Sequence, residues 1–92
     1  MPYEQMSDET LLERVSRCDQ AALAALYDRY AAAAMTVATL VTGQRAAAEA
    51  VVEQLFWSVW RGEIGGGGRV RHHLMLGARQ LARARVAFPL GG

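Results

Sequence analysis

Apolar residues in this 92-residue chain recur at steps of three and four, the spacing of amphipathic helices. The pattern predicts four helices, over approximately residues 8–17, 20–42, 45–61 and 70–86. No segment shows the two-residue alternation of a strand. We therefore expect an all-α fold, a compact bundle of about four helices with a glycine-rich loop before the last one.

Each predicted helix carries an apolar stripe that identifies its expected core positions. In chain order these positions are Leu11, Leu12 and Val15; Leu23, Leu26, Tyr27, Tyr30, Ala34, Val37, Ala38 and Val41; Ala48, Val51, Val52, Leu55, Phe56, Val59 and Trp60; and Val70, Leu74, Ala78 and Leu81.

Local signals mark the predicted helix ends. Ser7 and Asp19 are favourable N-cap residues because their side-chain oxygens accept free first-turn amides. Gly43 is placed to end the second helix as a left-handed cap, and Gly62 to stop the third. Four consecutive glycines at 65–68 favour a flexible loop or hinge over 62–68.

The expected organisation is an N-terminal arm (1–6), one helical domain (7–88) and a frayed C-terminus (89–92) containing Pro89, Gly91 and Gly92. The one cysteine, Cys18, excludes an intramolecular disulfide. With no signal-like N-terminus and no apolar run of membrane-spanning length, we expect a cytoplasmic protein without a membrane partner.

Charge is divided along the sequence. Residues 1–60 carry eight acidic side chains and four arginines, a net charge of −4, whereas residues 61–92 carry six arginines and one glutamate, a net charge of +5. The C-terminal third is therefore a candidate polyanion-binding element. All ten basic residues are arginines, which fits phosphate recognition and equally fits a GC-rich coding bias.

The third helix presents a candidate interaction face. If its apolar stripe faces the core, Glu49, Glu53, Gln54 and Trp57 fall together on the outer side. An exposed tryptophan beside carboxylates is typical of a protein interface. The alternative is that Trp57 packs under the arm, residues 1–6.

Other chemistry has little support in the sequence. His72 and His73 point to different helix faces without accompanying ligands, so we expect no metal site. The glycines at 65–68 lack the Gly-Lys-Ser/Thr ending of a phosphate loop. No catalytic constellation can be assembled, and we expect neither an enzyme, a cofactor nor a small-molecule substrate.

The segment 7–30, SDETLLERVSRCDQAALAALYDRY, resembles the opening of region 2 in the extracytoplasmic-function sigma factors of bacterial RNA polymerase. The match over 23–30, LAALYDRY, is almost letter for letter. This resemblance implies a sigma region 2-like bundle that acts in transcription initiation.

The segment 47–61, AAEAVVEQLFWSVWR, is similar to region 2.2, which reads approximately DAEDVVQEVFLRLWR and binds the clamp coiled coil of the polymerase β′ subunit. The resemblance implies polymerase binding through Glu49, Glu53, Gln54 and Trp57. Ala50, Glu53 and Gln54 depart from the family's acidic, amide and acidic residues.

The segment 68–86 resembles regions 2.3 and 2.4, which melt the promoter and read its −10 element; the residues 78–82, ARQLA, parallel the family's ARNLA. His73 stands in place of a tryptophan, Ala84 in place of an aspartate, and glycines in place of the base-pocket loop. The implied DNA-binding residues are Arg69, Arg71, His73, Arg79, Gln80, Arg83 and Arg85.

Three hypotheses follow from these features. The first is a sigma region 2 domain that binds the RNA polymerase core and promoter DNA. The second is a sigma-like module that binds an anti-sigma factor or another protein without reading DNA; it is favoured by the altered loop, His73 and the absence from this sequence of the family's second domain, region 4. The third is a self-associating bundle that uses Trp57 and the arm.

Overall fold

A computed structural model describes residues 2–64 and 68–87 of the chain. Within these ranges a short 3-10 helix, Tyr3–Gln5, precedes four α-helices and no strand occurs. The helices are α1 (Asp8–Ser16), α2 (Gln20–Thr42), α3 (Arg45–Trp60) and α4 (Val70–Ala87). The predicted all-α bundle is confirmed. The centre of the expected glycine hinge, 65–67, and the expected frayed C-terminus, 89–92, lie outside the described residues.

The helix ends form where the sequence predicts them. The Ser7 hydroxyl oxygen accepts a hydrogen bond from the Thr10 amide at 3.1 Å, and an Asp19 carboxylate oxygen accepts one from the Ala22 amide at 3.2 Å. Gly43 ends α2 with a φ of 70°, and Gly62 follows the end of α3 with a φ of 76°. Glycine is suited to both positions because a side chain strains the left-handed conformation.

Helix α2 is the centre of the bundle and packs against α1, α3 and α4. Because Ala82 of α4 shares a small apolar cluster with Ala38 of α2 and Ala48 of α3, the end of α4 lies beside the end of α2 and the start of α3. Helix α4 therefore runs in the same direction as α2 and antiparallel to α3.

The predicted core is largely confirmed, with four corrections; one is Met6, which was expected only in the N-terminal arm and is buried in the core. Tyr27, expected inside, is 47% exposed because it lies at the edge of the α2–α3 contact. Ala22 and Ala82, which the predicted stripes omitted, are fully buried, since small side chains allow close helix approach there. The remaining predicted positions are buried or partly buried, and α3 buries six residues: Ala48, Val51, Val52, Leu55, Phe56 and Val59.

The N-terminal arm is fastened to α1 and α2. One Arg29 amino group donates to the carbonyl oxygens of Tyr3 and Glu4, each at 3.0 Å, and the other forms an ion pair with Asp8 at 2.9 Å. Trp57 remains 53% exposed, so the alternative in which the described part of the arm covers this side chain is not supported.

None of the helices in the described ranges has the combination of length and apolar character needed to cross a membrane.

Candidate functional site

A groove of about 650 Å³ lies between α2 and α3, and we name it the α2–α3 groove. Its apolar lining includes Met35 from α2 and Val52 and Phe56 from α3. Val52 and Phe56 point inward on the buried stripe of α3, so the floor of the groove is continuous with the core. An apolar floor of this kind favours binding of another apolar surface.

Two half-exposed aromatic side chains line the groove. Tyr27 from α2 packs edge-on against Phe56, with ring centroids 5.0 Å apart and planes at 62°. Trp57, the neighbour of Phe56 in α3, is 53% exposed. Because Trp and Tyr combine a large apolar body with a polar atom, exposed pairs of this kind are typical anchors of protein interfaces.

The α3 rim of the groove carries the charge. Glu49 and Glu53 are both exposed and lie one helical turn apart. Arg45 reaches Glu49, with Nε 3.1 Å from Oε1, but both partners are largely in water, where such a pair contributes only about 0–1 kcal/mol. Glu53 has no ion-pair partner in the described part of the chain. The rim therefore presents net negative charge to an approaching partner.

The structure places all four predicted polymerase-contact residues on the exposed side of α3. Glu49, Glu53 and Trp57 line the groove together, whereas Gln54 is exposed outside its lining. Sequence reasoning missed the contribution of α2, above all Tyr27. The adjacent Asp28 and the polar tyrosine hydroxyl were the only signals that this residue lies at the edge of the stripe.

The second candidate surface is α4. Of the seven predicted DNA-binding residues, six are exposed and His73 is half-buried, with its ring centroid 5.8 Å from that of His72. The described residues contain no ion pair to Arg69, Arg71, Arg79, Arg83 or Arg85. Their positive charge is therefore directed to solvent or to a ligand.

The α4 residues do not form one surface. At 100° per residue, Arg79, Gln80 and Arg83 lie on the side opposite the buried stripe of Val70, Leu74, Ala78 and Ala82. Arg71 and Arg85 lie in line with that stripe near the two ends of the helix, where they extend beyond the packed interior. Burial of the phenol and its hydrogen bond to Asp8 raise the pKa of Tyr30, and the charges of Arg29 and Arg71 oppose this rise without reversing it.

An ion pair follows the C-terminal end of α3. Arg61 Nε lies 2.9 Å from Glu63 Oε2. The hydrogen bond from Arg61 lowers the pKa of the Glu63 carboxyl, and the same contact raises the pKa of Arg61. This arginine is thus neutralised locally and adds little to the positive charge of α4.

Within residues 2–64 and 68–87, no three His, Cys, Asp or Glu side chains form a cluster that could hold a metal ion.

Comparison of the chain with protein-family models, with curated proteins and with solved structures gives no match.

Proposed function

We propose that this chain is a sigma region 2-like domain of transcription initiation that docks on the polymerase β′ clamp and approaches promoter −10 DNA. The observation that carries the proposal is the position of Trp57 and Glu53, an exposed aromatic and an unpaired carboxylate, beside an apolar groove. They lie on the helix whose sequence resembles the clamp-binding region of sigma factors.

The groove supplies the two features that a helix-binding interface needs, apolar area and complementary charge. Apolar area removed from water contributes about 25 cal/mol per Å², so covering the exposed parts of Tyr27 and Trp57 is favourable. The negative rim favours a basic partner and speeds its approach, because complementary charge acts mainly on the association rate and on specificity. An amphipathic helix with arginine side chains would fit both the apolar groove and its negative rim.

Helix α4 supplies the contact to DNA in this proposal. Its free arginines can neutralise phosphates, a contribution that is independent of base sequence and weakens with salt. Gln80 lies beside these arginines on the side of α4 away from the buried stripe, where its amide can pair with a base edge. This single amide is the best-placed residue for reading sequence.

Binding of the purified chain to core polymerase and to an isolated β′ clamp fragment tests the proposal. We expect micromolar binding that falls by about tenfold or more for Trp57→Ala, because truncation of an interface anchor typically costs at least 1–2 kcal/mol. Glu53→Arg should weaken binding further at low salt. Leu40→Ala, which removes an 81% exposed side chain outside the groove, is the matched control. Absence of binding at micromolar concentration would refute the proposal.

A second candidate function, a protein-interaction module that does not read DNA, is favoured by the composition of α4. Capture of single-stranded DNA relies on aromatic stacking, and α4 contains no Phe, Tyr or Trp. His73, at the position of the family's tryptophan, is half-buried. Selective binding of a single-stranded −10 oligonucleotide over a scrambled one at about 0.2 M salt would exclude this candidate.

A further inference from the structure

The outer side of α4 has a regular chemical pattern, of which the DNA-binding proposal uses only the arginines. His72, Leu76, Arg79, Arg83 and Val86 follow one another at steps of four and three residues, and all are exposed. We name these five residues the α4 outer stripe. Leu76 and Val86 are 41% and 50% exposed. The stripe therefore has one apolar side chain before its two arginines and one after them. This pattern is that of an amphipathic helix face, not of a uniformly charged one.

The α2–α3 groove has the complementary pattern. Its centre is apolar and its α3 rim carries Glu49 and Glu53, which are four residues apart. Arg79 and Arg83 are also four residues apart, so both pairs have a spacing of about 6 Å along their helix axes. The chain thus carries an acidic, aromatic groove and a basic helix face of matching period on different sides.

We propose that the α2–α3 groove binds the α4 outer stripe of a second copy of this chain. Arg79 and Arg83 of one copy pair with Glu53 and Glu49 of the other, and one of the two exposed aliphatic side chains of the stripe contacts Tyr27 and Trp57. An arginine–glutamate pair beside an aromatic surface is stronger than one in open water, because less water is present to screen the two charges. The inference goes beyond the proposed function and does not depend on it.

Charge complementarity selects this mode of self-association over symmetric ones. Two grooves facing each other bring the glutamates of one rim against those of the other, and two α4 outer stripes bring arginines together. Both arrangements oppose like charges, which is unfavourable. Groove against stripe is a contact between two different surfaces, so each added copy leaves one groove and one stripe free. The expected products are head-to-tail oligomers, which are open unless the rotation between copies closes a ring.

This contact occupies the proposed clamp-binding and DNA-facing surfaces at the same time. As the concentration of the chain rises, a growing fraction of grooves is filled by other copies. Self-association therefore competes with polymerase for the groove and with nucleic acid for α4, and it limits the concentration of monomer that can bind either.

Sedimentation velocity of the full chain tests the inference. We expect the weight-average sedimentation coefficient to rise between about 5 and 200 μM in low salt, and to stay at the monomer value in about 0.5 M salt. The paired substitutions Glu49→Arg/Glu53→Arg and Arg79→Glu/Arg83→Glu should each abolish the rise. The variant that combines all four should associate again, since the charges are exchanged but still complementary.

The chain offers a matched control for charge. Glu9 and Glu13 are exposed on α1 with the same four-residue spacing, so Glu9→Arg/Glu13→Arg changes net charge equally without touching the groove or the stripe. This variant should retain the salt-sensitive rise in sedimentation coefficient, whereas Glu49→Arg/Glu53→Arg, with the same net charge, should lose it. Circular dichroism melts show whether each variant is folded, and the milder Glu49→Gln/Glu53→Gln replaces any reversal that unfolds the chain.

A wild type that stays monomeric at about 200 μM in low salt would overturn the inference, because that concentration detects association as weak as about −5 kcal/mol. A combined variant that is folded but monomeric would overturn it as well. Clamp binding is measured separately with dilute monomer, so loss of self-association leaves the proposed function intact, and loss of clamp binding leaves the self-association intact.

Discussion

The Tyr3 hydroxyl donates a hydrogen bond to the Asp19 carboxylate, with the two oxygens 2.7 Å apart. Asp19 also accepts the Ala22 amide at the start of α2, so one carboxylate holds both the N-terminal arm and the first turn of the central helix. The bond from Tyr3 is the largest cause of the lowered pKa of Asp19, and the same bond raises the pKa of Tyr3.

This contact predicts an acid-sensitive contribution to stability. The folded-state pKa of Asp19 lies below its ordinary value of 3.8, so the unfolded chain takes up the proton first. The stabilisation is fully present above about pH 4 and is lost as the pH falls through the folded-state pKa. We expect the difference in Tm between wild type and Tyr3→Phe to be constant at neutral pH and to shrink below about pH 4. A constant difference down to pH 2 would contradict this assignment.

The two capping residues of the N-terminal half predict a ranked series of stabilities. Ser7→Ala removes the bond from the Thr10 amide and the exposed bond that the Ser7 hydroxyl donates to the Thr10 hydroxyl, and should lower the free energy of unfolding by about 1 kcal/mol. Asp19→Ala removes the α2 cap and the bond from Tyr3 together, so its free energy of unfolding should fall further. Denaturant titrations provide the ranking, and Tyr3→Phe should have almost no effect in the Asp19→Ala background. A full effect of Tyr3→Phe in that background would show that Tyr3 acts through another partner.

The fold was predictable because its signals are local. Asp19 and Gly43 act within a single helical turn, and the chemistry of each residue alone determines its role as a cap. The edges of the apolar stripes were less predictable. Periodicity places Tyr27 on the apolar side of α2, but its exposure depends on the position of α3, which no local signal encodes.

The candidate site shows the same division. Glu49, Glu53 and Trp57 share one side of α3 by helical geometry alone, so this half of the groove could be predicted. The other half comes from α2, including Tyr27 and Met35, and exists only once the two helices are packed. The helical period also separates the arginines of α4, because it places Arg71 and Arg85 in a different direction from Arg79 and Arg83. Their closeness in the sequence alone does not show this separation.

The close contact of α3 with α4 predicts a coupled pair of substitutions. A Cβ atom added at Gly77 would lie 2.9 Å from Leu55 Cδ1, and Leu55 is fully buried. Gly77→Ala gains about 1 kcal/mol of helix propensity but overpacks a filled site, at a cost of about 1–3 kcal/mol. We expect a net loss of roughly 1 kcal/mol in the free energy of unfolding.

The double-mutant cycle with Leu55→Val tests the origin of that loss. Valine lacks the Cδ1 atom, so Gly77→Ala should become neutral or stabilising in the Leu55→Val background. Equal effects of Gly77→Ala in both backgrounds, measured by denaturant titration, would show that this contact does not limit the packing of α3 on α4.

Two leucines of opposite burial predict the stability contribution of the core. Leu74 of α4 is fully buried, whereas Leu40 of α2 is 81% exposed. Leu74→Ala should lower the free energy of unfolding by about 2–5 kcal/mol through lost burial and a cavity. Leu40→Ala should change it by about 0.5 kcal/mol or less. Similar losses for the two variants would contradict the placement of α4 against the core.

Tyr27 provides the sharpest test of the groove, because its place there was not predicted from the sequence. Tyr27→Phe keeps the ring that packs edge-on against Phe56, whereas Tyr27→Ala removes it and opens the α2 side of the groove. If the groove is the docking surface, Tyr27→Ala should weaken clamp binding by about tenfold, and Tyr27→Phe by threefold or less, since most of the binding energy of such an anchor comes from its ring. Tyr27→Ala should also lower the free energy of unfolding, by about 1–2 kcal/mol, because a half-exposed ring loses less than a buried one.

Calorimetric titration at a temperature well below the Tm values of the wild type and of Tyr27→Ala separates weaker clamp binding from loss of folded protein. Unchanged clamp binding by a folded Tyr27→Ala variant, together with a loss in Trp57→Ala, would restrict the docking surface to α3 and leave α2 outside it.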